Sequence, residues 1–333
     1  MERYILGLDI GGTKMAAGLL TEKSEIHFRE EIPTEQHKGF EHSFGQMNRV
    51  ISALLQRLRP NQSEIVGIGV CAPGPLDPLQ GILFNPPNLK GWHDLALKDI
   101  LEKQYGLPVY IDNDANAAGL AETYWGAAKG YDYVFYVTVS TGIGTGIIVN
   151  QKILHGNNGL AGEGGHVSIF FHDSAPRCNC GNAGCIEAYA SGPSAAKRAQ
   201  TKLRALSRKP VLLEEETGGD WDRLTMKHIS AAARRGDRFS QTVIEETGTF
   251  LGIWLGSIVS LLDPGIIVIG GGVSEAGEGL FKAIREELPR RTLNRFAKRI
   301  PVVKAGLEKD VGIYGGAALA LAHQAEERSP ASL

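Results

Sequence analysis

The chain has 333 residues, about twice the usual length of one domain, so two domains are expected. Its net charge of −2, with 22% charged and 43% hydrophobic residues, is typical of a globular protein and gives no sign of a general nucleic-acid or anionic-membrane surface. Glycine is unusually frequent, with 42 residues and no collagen-like period. This excess predicts many tight backbone turns.

No apolar segment reaches the length of about 18 residues that a membrane span needs. An uncharged stretch at residues 247–262 includes two serines and three glycines and predicts a buried helix. The first residues lack the apolar run of a signal peptide, so a cytoplasmic protein that does not bind membranes is expected. Four cysteines, of which Cys178, Cys180 and Cys185 lie within eight residues, do not resemble a disulfide framework and indicate a metal site.

The N-terminal half predicts strands alternating with helices, which is typical of an α/β sheet. Apolar residues between Phe40 and Leu58 recur at spacings of three and four and predict an amphipathic helix. A second, alanine-rich helix is expected from Asp112–Asn116 to about Ala128. The predicted strands in this half are residues 4–8, 15–20, 65–70 and 109–111.

The second half begins in the same way, with a strand at Tyr133–Val139, a glycine turn at 140–146 and a return strand at 147–149. Residues 9–14 and 141–146 share a glycine (Gly12 and Gly144) and a threonine (Thr13 and Thr145), which suggests a duplicated domain. Two unrelated hairpins are the alternative. The later predictions are helices at 192–205, 225–235, 240–262 and about 315–324, and a strand at 266–269; residues 209–222 give no clear pattern.

Glycine turns at residues 9–14, 140–146 and 270–272 follow or join predicted strands. Without a Cβ, each can bring backbone N–H groups and Thr or Ser hydroxyls close to phosphate oxygens, although each alone is more often a plain turn. A Walker loop is excluded because no Gly-Lys pair occurs, and no turn opens a helix with G-x-G-x-x-G. Together the turns indicate a nucleotide held between two domains.

Two aspartates stand where chemistry is expected. Asp9, at the end of the first strand, is suited to a hydrated Mg²⁺ facing a triphosphate, or else forms an Asx turn. Asp114 precedes a helix and is expected to cap it, to act as the base that takes a proton from an attacking hydroxyl, or to do both.

His166 and the three clustered cysteines make up the ligand set of a closed, structural zinc site. The alternative is a group of reduced thiols beside a core histidine. Bound zinc would fix the positions of Glu163 and Glu187 close to its ligands. Two carboxylates beside a free histidine nitrogen suit polyol hydroxyls, whereas solvated surface glutamates are the simpler explanation.

These motifs together resemble the ROK sugar kinases of the actin-like ATPase superfamily. The resemblance covers nearly the whole chain in one ordered set: Asp-Ile-Gly-Gly-Thr-Lys (9–14), Ala-Pro-Gly-Pro (72–75), Asn-Asp-Ala-Asn (113–116), Ser-Thr-Gly-Ile-Gly-Thr-Gly (140–146), Gly-Glu-Gly-Gly-His (162–166), Cys-x-Cys-Gly-x-x-Gly-Cys-x-Glu (178–187) and Gly-Gly-Gly (270–272). The chain differs at Gly164, where the family usually has a bulky aliphatic residue. Family repressors carry an N-terminal helix-turn-helix arm, whereas eight residues precede Asp9 here, so an enzyme that does not bind nucleic acid is expected.

The resemblance implies an α/β, two-domain actin-like ATPase (ribonuclease H-like) fold with an interdomain cleft. A small domain of residues 1–112 and about 312–333 would join a large domain of residues 113–311 that carries the zinc loop and the adenine site. The implied oligomer is a homodimer. The implied cofactors are ATP with Mg²⁺ and a structural Zn²⁺.

The implied activity is phosphorylation of a hexose 6-hydroxyl, with glucose as the expected substrate. Kinases of N-acetylmannosamine, mannose or fructose, a sugar-sensing regulator without its DNA-binding arm, and a chaperone-like or cytoskeletal ATPase are the alternatives. Asp114 corresponds to the catalytic base, and the implied metal ligands are His166, Cys178, Cys180 and Cys185. The implied sugar contacts are Gly74, Asn88, Asn113, Asp114, Glu163, His166 and Glu187, and the implied nucleotide contacts are Asp9, Gly11, Gly12, Thr13, Lys14, Thr141, Gly142, Gly144, Thr145, Gly271 and Gly272.

Overall fold

A computed structural model describes residues 2–58, 63–307 and 310–328, over which strands and helices alternate. The elements before residue 130 are β1 (Glu2–Ile10), β2 (Lys14–Thr21), β3 (Ile26–Pro33), α1 (Phe40–Leu55), β4 (Ser63–Ala72), β5 (Leu76–Asp77), β6 (Ile82–Leu83), β7 (Leu95–Ala96), α2 (Leu97–Tyr105), β8 (Val109–Asn113) and α3 (Asp114–Trp125). Those after it are β9 (Tyr133–Val139), β10 (Ile143–Val149), β11 (Lys152–Ile153), α4 (Ile186–Ala190), α5 (Gly192–Ala205), α6 (Val211–Thr217), α7 (Met226–Arg234), α8 (Arg238–Leu262), β12 (Ile266–Gly270), α9 (Glu278–Glu287), β13 (Val302–Lys304) and α10 (Val311–Arg328).

The first sheet has the strand order β3-β2-β1-β4-β8. β1 pairs with β2 in antiparallel fashion, whereas β1, β4 and β8 run parallel. The register places Asp9 on β1 opposite Cys71 on β4, and Cys71 opposite Asp112 on β8. The parallel strands therefore end at one edge, which is where open α/β sheets bind ligands.

The second sheet has the order β11-β10-β9-β12-β13, so each sheet reads third, second, first, fourth, fifth along its own strands. This shared order confirms the predicted duplication of architecture. The predicted turn at 140–146 is too long, because β10 begins at Ile143 and includes Gly144, Thr145 and Gly146. Glycine is needed within this strand because a Cβ at Gly146 would lie 2.7 Å from the Ala115 carbonyl oxygen.

The chain divides by its internal contacts into two units. Unit 1 contains residues 1–132, 146–161 and 306–333, and unit 2 contains residues 133–145 and 162–305. This division assigns α3 to unit 1. The predicted functional domains, with boundaries at 112 and 311, remain a prediction, and their last residues, 329–333, lie outside the described part of the chain.

The core of unit 1 contains α1, whose buried Met47, Val50, Ile51 and Leu54 pack against the first sheet. α10 covers the same sheet and approaches its backbone so closely that a Cβ at Gly69 would lie 1.6 Å from the Gly316 carbonyl oxygen. This helix begins at Val311, earlier than the predicted 315.

The C-terminal end of α3 is held by a buried carboxylate. Glu122 is fully buried and accepts hydrogen bonds from the backbone N–H groups of Ala127 (2.7 Å), Gly306 (2.9 Å) and Leu307 (2.9 Å). The charge is stabilised by these dipoles, and the carboxylate ties α3 to the strand-to-helix connection that precedes α10.

Several elements lie outside the predictions made from the sequence. β3 alternates half-buried and exposed residues, α2 has nine residues, and α6 lies within the polar stretch at 209–222. Within the described residues, no helix combines the length and the hydropathy needed to cross a bilayer.

Candidate active site

In unit 1, the edge formed by β1, β4 and β8 carries an acidic cluster. The thiol of Cys71 is fully buried, and its pKa is raised first by burial and then by the negative charges of Asp9, Asp114 and Asp112. Burial likewise raises the pKa of Asp9 to about 6, with a further contribution from Asp114, whereas Lys14 acts in the opposite direction. Such excess negative charge at a strand end is suited to a divalent cation.

Asp114 is the first residue of α3, and the residue before it supplies the cap. Asn113 accepts a hydrogen bond from the Ala115 backbone N–H through Oδ1 (2.9 Å), so Asn113 is the N-cap and not Asp114. Asp114 Oδ1 also lies 2.7 Å from the Ala115 nitrogen. The charged side chain thus sits at the positive end of a helix dipole, which favours an ionised base.

The other predicted sugar contacts of unit 1 are located by two close approaches to glycines. A Cβ at Gly12 would be 2.6 Å from the Asn88 carbonyl oxygen, so the first turn and the Asn88 segment are in close contact. At Gly74, which precedes a cis proline, a Cβ would be 3.5 Å from Asn113 Nδ2. The structure therefore brings Gly12 to Asn88 and Gly74 to Asn113.

The first turn is a tight hairpin in which the Gly11 N–H donates to the Lys14 carbonyl (3.0 Å). Thr34 supports it by donating its N–H to the Thr13 carbonyl (2.9 Å) and its hydroxyl to the Gly11 carbonyl (2.6 Å). Lys14 forms an ion pair with Glu31 at 2.9 Å. The predicted phosphate contacts of this turn, Gly11, Gly12, Thr13 and Lys14, remain a prediction.

In unit 2, the predicted zinc ligands are brought together. The ligand atoms of His166, Cys178, Cys180 and Cys185 all lie within 4.8 Å of one another. The sulfurs of Cys180 and Cys185 are 3.7 Å apart, and Cys178 Sγ lies 3.5 Å from His166 Nδ1. Tetrahedral zinc with Zn–S bonds of about 2.3 Å separates its sulfurs by roughly 3.8 Å, so the residues present fit the ion.

The predicted sugar-binding glutamates flank this cluster. Glu163 is exposed, and its carboxylate lies 3.9 Å from His166 Nε2, the ring nitrogen that faces away from Cys178. Glu187 accepts the Ile143 backbone N–H (2.9 Å) through Oε2, and its Oε1 is 3.5 Å from Cys178 Sγ. Glu187 therefore links the cysteine cluster to the second glycine turn.

The second and third glycine turns each contain a position that leaves no room for a side chain. A Cβ at Gly142 would lie 2.6 Å from Glu187 Oε2, and at Gly271, where φ is +81°, it would lie 2.5 Å from the Val139 carbonyl oxygen. Gly272 has open space at the same position. Thr145, by contrast, is buried; it donates to the Gly162 carbonyl and accepts the Gly164 N–H (3.2 Å), so its hydroxyl supports the loop before Glu163.

A cavity of about 490 Å³ opens beside the second turn, a volume in the range of small-molecule sites. Its lining combines the predicted Thr141 and Gly272 with residues of α5 and the start of α7. No sequence motif marked these helical residues, because they are ordinary positions on amphipathic helices. The main ones are Gly192, Ala196, Lys197, Gln200, Thr225 and Met226.

In unit 2, the surroundings of Gly164 leave little room for a side chain. A Cβ there would lie 2.9 Å from Thr145 Oγ1 and 3.2 Å from Trp254 Cζ2. Trp254 on α8 is fully buried and stacks edge-on against Phe135. The indole thus occupies space that an aliphatic side chain at position 164 would need.

Comparison with known proteins finds relatives that match nearly the whole chain. The chain is 37% identical to a glucokinase of Halalkalibacterium halodurans over 95% of this chain and 94% of that protein. A ROK family glucokinase from Streptomyces griseus, solved in complex with glucose and AMPPNP, matches at 33% identity and a TM-score of 0.80, covering 96% of this chain and 99% of that one. A xylose repressor of Bacillus spizizenii is 29% identical over 96% of this chain but 77% of its own length. Since the ROK family sequence pattern matches residues 5–323, this chain belongs to the ROK family.

Proposed function

We propose that this protein is an ATP-dependent glucokinase, which transfers the γ-phosphoryl group of ATP to the 6-hydroxyl of glucose. The observation that carries the proposal is the position of Asp114, at the first turn of α3 and beside Asn113, on the same sheet edge as Asp9. The similarity to glucokinases over nearly the full length of both proteins supports the substrate.

In the proposed reaction, Asp114 accepts the proton of the glucose 6-hydroxyl as that oxygen attacks the γ-phosphorus. The new O–P bond forms while the bond between the γ-phosphorus and the β,γ-bridging oxygen breaks, and ADP leaves. General-base assistance of this kind contributes roughly 10²–10⁴-fold to the rate. The proposed sugar contacts are Gly74, Asn88, Asn113, Glu163, His166 and Glu187.

For the nucleotide, we propose the cavity beside Thr141 and Gly272 as the adenosine site. Its volume and partly apolar lining suit a nucleoside, and the open space beside Gly272, which lines the cavity, leaves room for a phosphate to approach the backbone. Asp9 would hold Mg²⁺ through its hydration shell, and the ion would neutralise phosphate charge.

We further propose that His166, Cys178, Cys180 and Cys185 bind one structural zinc ion. All four positions of a tetrahedral site are filled by protein, so the ion is closed to substrate and acts by fixing the loop. Through Glu187, which contacts both Cys178 and the second turn, the metal would also fix the sugar-binding and nucleotide-binding segments. A homodimer in the cytoplasm is the proposed form, and light scattering of the purified protein tests the dimer.

A coupled assay that detects ADP tests the function with glucose, N-acetylmannosamine, mannose and fructose as acceptors, each with ATP or polyphosphate. We expect glucose with ATP to give the highest kcat/KM. The second candidate function is a sugar-sensing regulator like the repressor relatives. Calorimetry measures binding of the same sugars and so distinguishes this regulator from the kinase. Sugar binding without ADP formation would favour the regulator and contradict the kinase.

A further inference from the structure

We propose that His155 is a positioning residue for this reaction: its imidazolium neutralises the buried carboxylate of Asp112 and so keeps the neighbouring Asp114 ionised and in place. The inference rests on the proposed kinase function. The family resemblance gives neither His155 nor Asp112 a role as a ligand or as the base.

Asp112 is buried, with 3% of its surface exposed, and its carboxylate accepts three hydrogen bonds. The Asn113 N–H (2.7 Å) and Asn116 Nδ2 (2.9 Å) donate to Oδ1, and His155 Nε2 donates to Oδ2 (2.5 Å). Two of the donors are neutral, so His155 is the partner that can cancel the charge. A buried carboxylate without such a partner is strongly unfavourable.

The need for a cation follows from the register of the sheet. Asp9 and Asp112 lie on either side of Cys71 on adjacent strands, and Asp114 follows Asp112 by two residues. All three carboxylates raise the pKa of the Cys71 thiol, so they lie close enough to one thiol to repel one another as well. Each additional unpaired charge there favours protonation of the others.

The other charged groups around this pair do not replace His155. Lys14, which acts on Asp9, is held by Glu31 at 2.9 Å. Lys152, on the same hairpin as His155, is exposed to solvent. Burial lowers the pKa of His155, but the hydrogen bond to Asp112 and the charge of Asp112 more than offset this, so the pKa lies above its ordinary value.

The pair also joins two segments of unit 1. His155 lies in the loop that follows β11, and its carbonyl accepts the Ala161 N–H (2.9 Å) that closes this loop. Asp112 in turn accepts the N–H of Asn113, which caps the helix that starts with Asp114. The hydrogen bond from His155 to Asp112 therefore fixes the loop to the strand end that carries the base.

The test compares His155→Gln with His42→Gln, since His42 on α1 makes a similar contact to Glu35 (2.7 Å) away from the acidic edge. For His155→Gln we expect kcat at pH 7 to fall about tenfold, with KM for glucose changing less than about threefold, and the acid limb of the kcat profile to move up by roughly half to one pH unit. His42→Gln should leave all three unchanged. Adding Asp112→Asn to His155→Gln removes the uncompensated charge and should restore most of kcat and the pH profile.

A histidine NMR titration provides a readout that does not need turnover. The His155 pKa should lie above its ordinary value in the wild-type protein and fall in Asp112→Asn. A wild-type protein that shows this titration but has no kinase activity would refute the proposed kinase function, while the ion pair between His155 and Asp112 would be confirmed. Three results would overturn the positioning role. The first is a normal kcat with an unchanged acid limb in His155→Gln, and the second is an effect of this variant on KM or melting temperature alone. The third is a double variant whose kcat is no higher than that of His155→Gln.

Discussion

Asp9→Asn is expected to make the protein more stable while it removes activity. The pKa of Asp9 is raised from 3.8 to about 6, mainly by burial and secondly by Asp114, which means that the folded state holds this proton more tightly than the unfolded chain does. The ionised carboxylate therefore destabilises the fold above pH 6, by up to about 3 kcal/mol at pH 7. Asparagine keeps the shape of the side chain and removes that cost.

Chemical denaturation at pH 7 and pH 4, in the absence of Mg²⁺ and nucleotide, measures this effect. We expect Asp9→Asn to exceed the wild type by about 1–3 kcal/mol at pH 7, and the difference to disappear as the pH falls from 6 through 3.8, because Asp9 becomes protonated in both states. Asp132→Asn, at an exposed carboxylate, is the control and should show no gain.

Kinase activity of Asp9→Asn should fall by at least roughly 10²-fold, because the residue proposed to hold the hydrated metal ion is neutral. Added MgATP should narrow the stability gap, since the ion stabilises only the wild-type carboxylate. Equal or lower stability of the variant at pH 7, or the same gain at both pH values, would refute the electrostatic reasoning.

Three further variants test other parts of the structure. Asp114→Asn should retain glucose binding by calorimetry but lose at least roughly 10²-fold in kcat, and near-normal turnover would rule it out as the base. Glu122→Gln replaces a carboxylate that accepts hydrogen bonds from three backbone N–H groups. Thermal denaturation should therefore show that the free energy of unfolding falls by about 2–4 kcal/mol. A fall of less than about 0.5 kcal/mol would show that water replaces these hydrogen bonds. Metal analysis should find about one zinc per wild-type chain and less in Cys180→Ser, with weaker glucose binding in the variant; full activity of a metal-free preparation would contradict the structural role.

Site residues can be predicted from the sequence where both the side-chain type and the position beside a predicted element point to a role. Asp9 and Asp114 were identified because each adjoins a strand end, and the zinc ligands because a histidine and three close cysteines form a complete ligand set. The structure brings the four ligands together, while the catalytic and sugar-binding roles remain predictions. The order of residues within a short segment is sufficient to identify these groups as candidates.

Contacts between distant segments could not be read in this way. Asp112 and His155 are 43 residues apart, and Glu122 and Gly306 are 184 apart, with no spacing rule to connect them. The length of the second turn was overestimated because Gly146, which suggested a turn, serves close packing within a strand. Capping by Asp114 is one of the options that the sequence leaves open, because aspartate is as good an N-cap as asparagine and only the backbone shows which one precedes the helix.

The contact between Gly164 and Trp254 couples the side chains that these two positions can accept. A Cβ at 164 would lie 3.2 Å from the indole and 2.9 Å from Thr145 Oγ1, so a side chain there needs its neighbours to shift. Trimming Trp254 alone would leave a void where a large side chain is fully buried. Substitutions at 164 and 254 should therefore be non-additive in the free energy of unfolding, and a design that enlarges position 164 has to reshape position 254 at the same time.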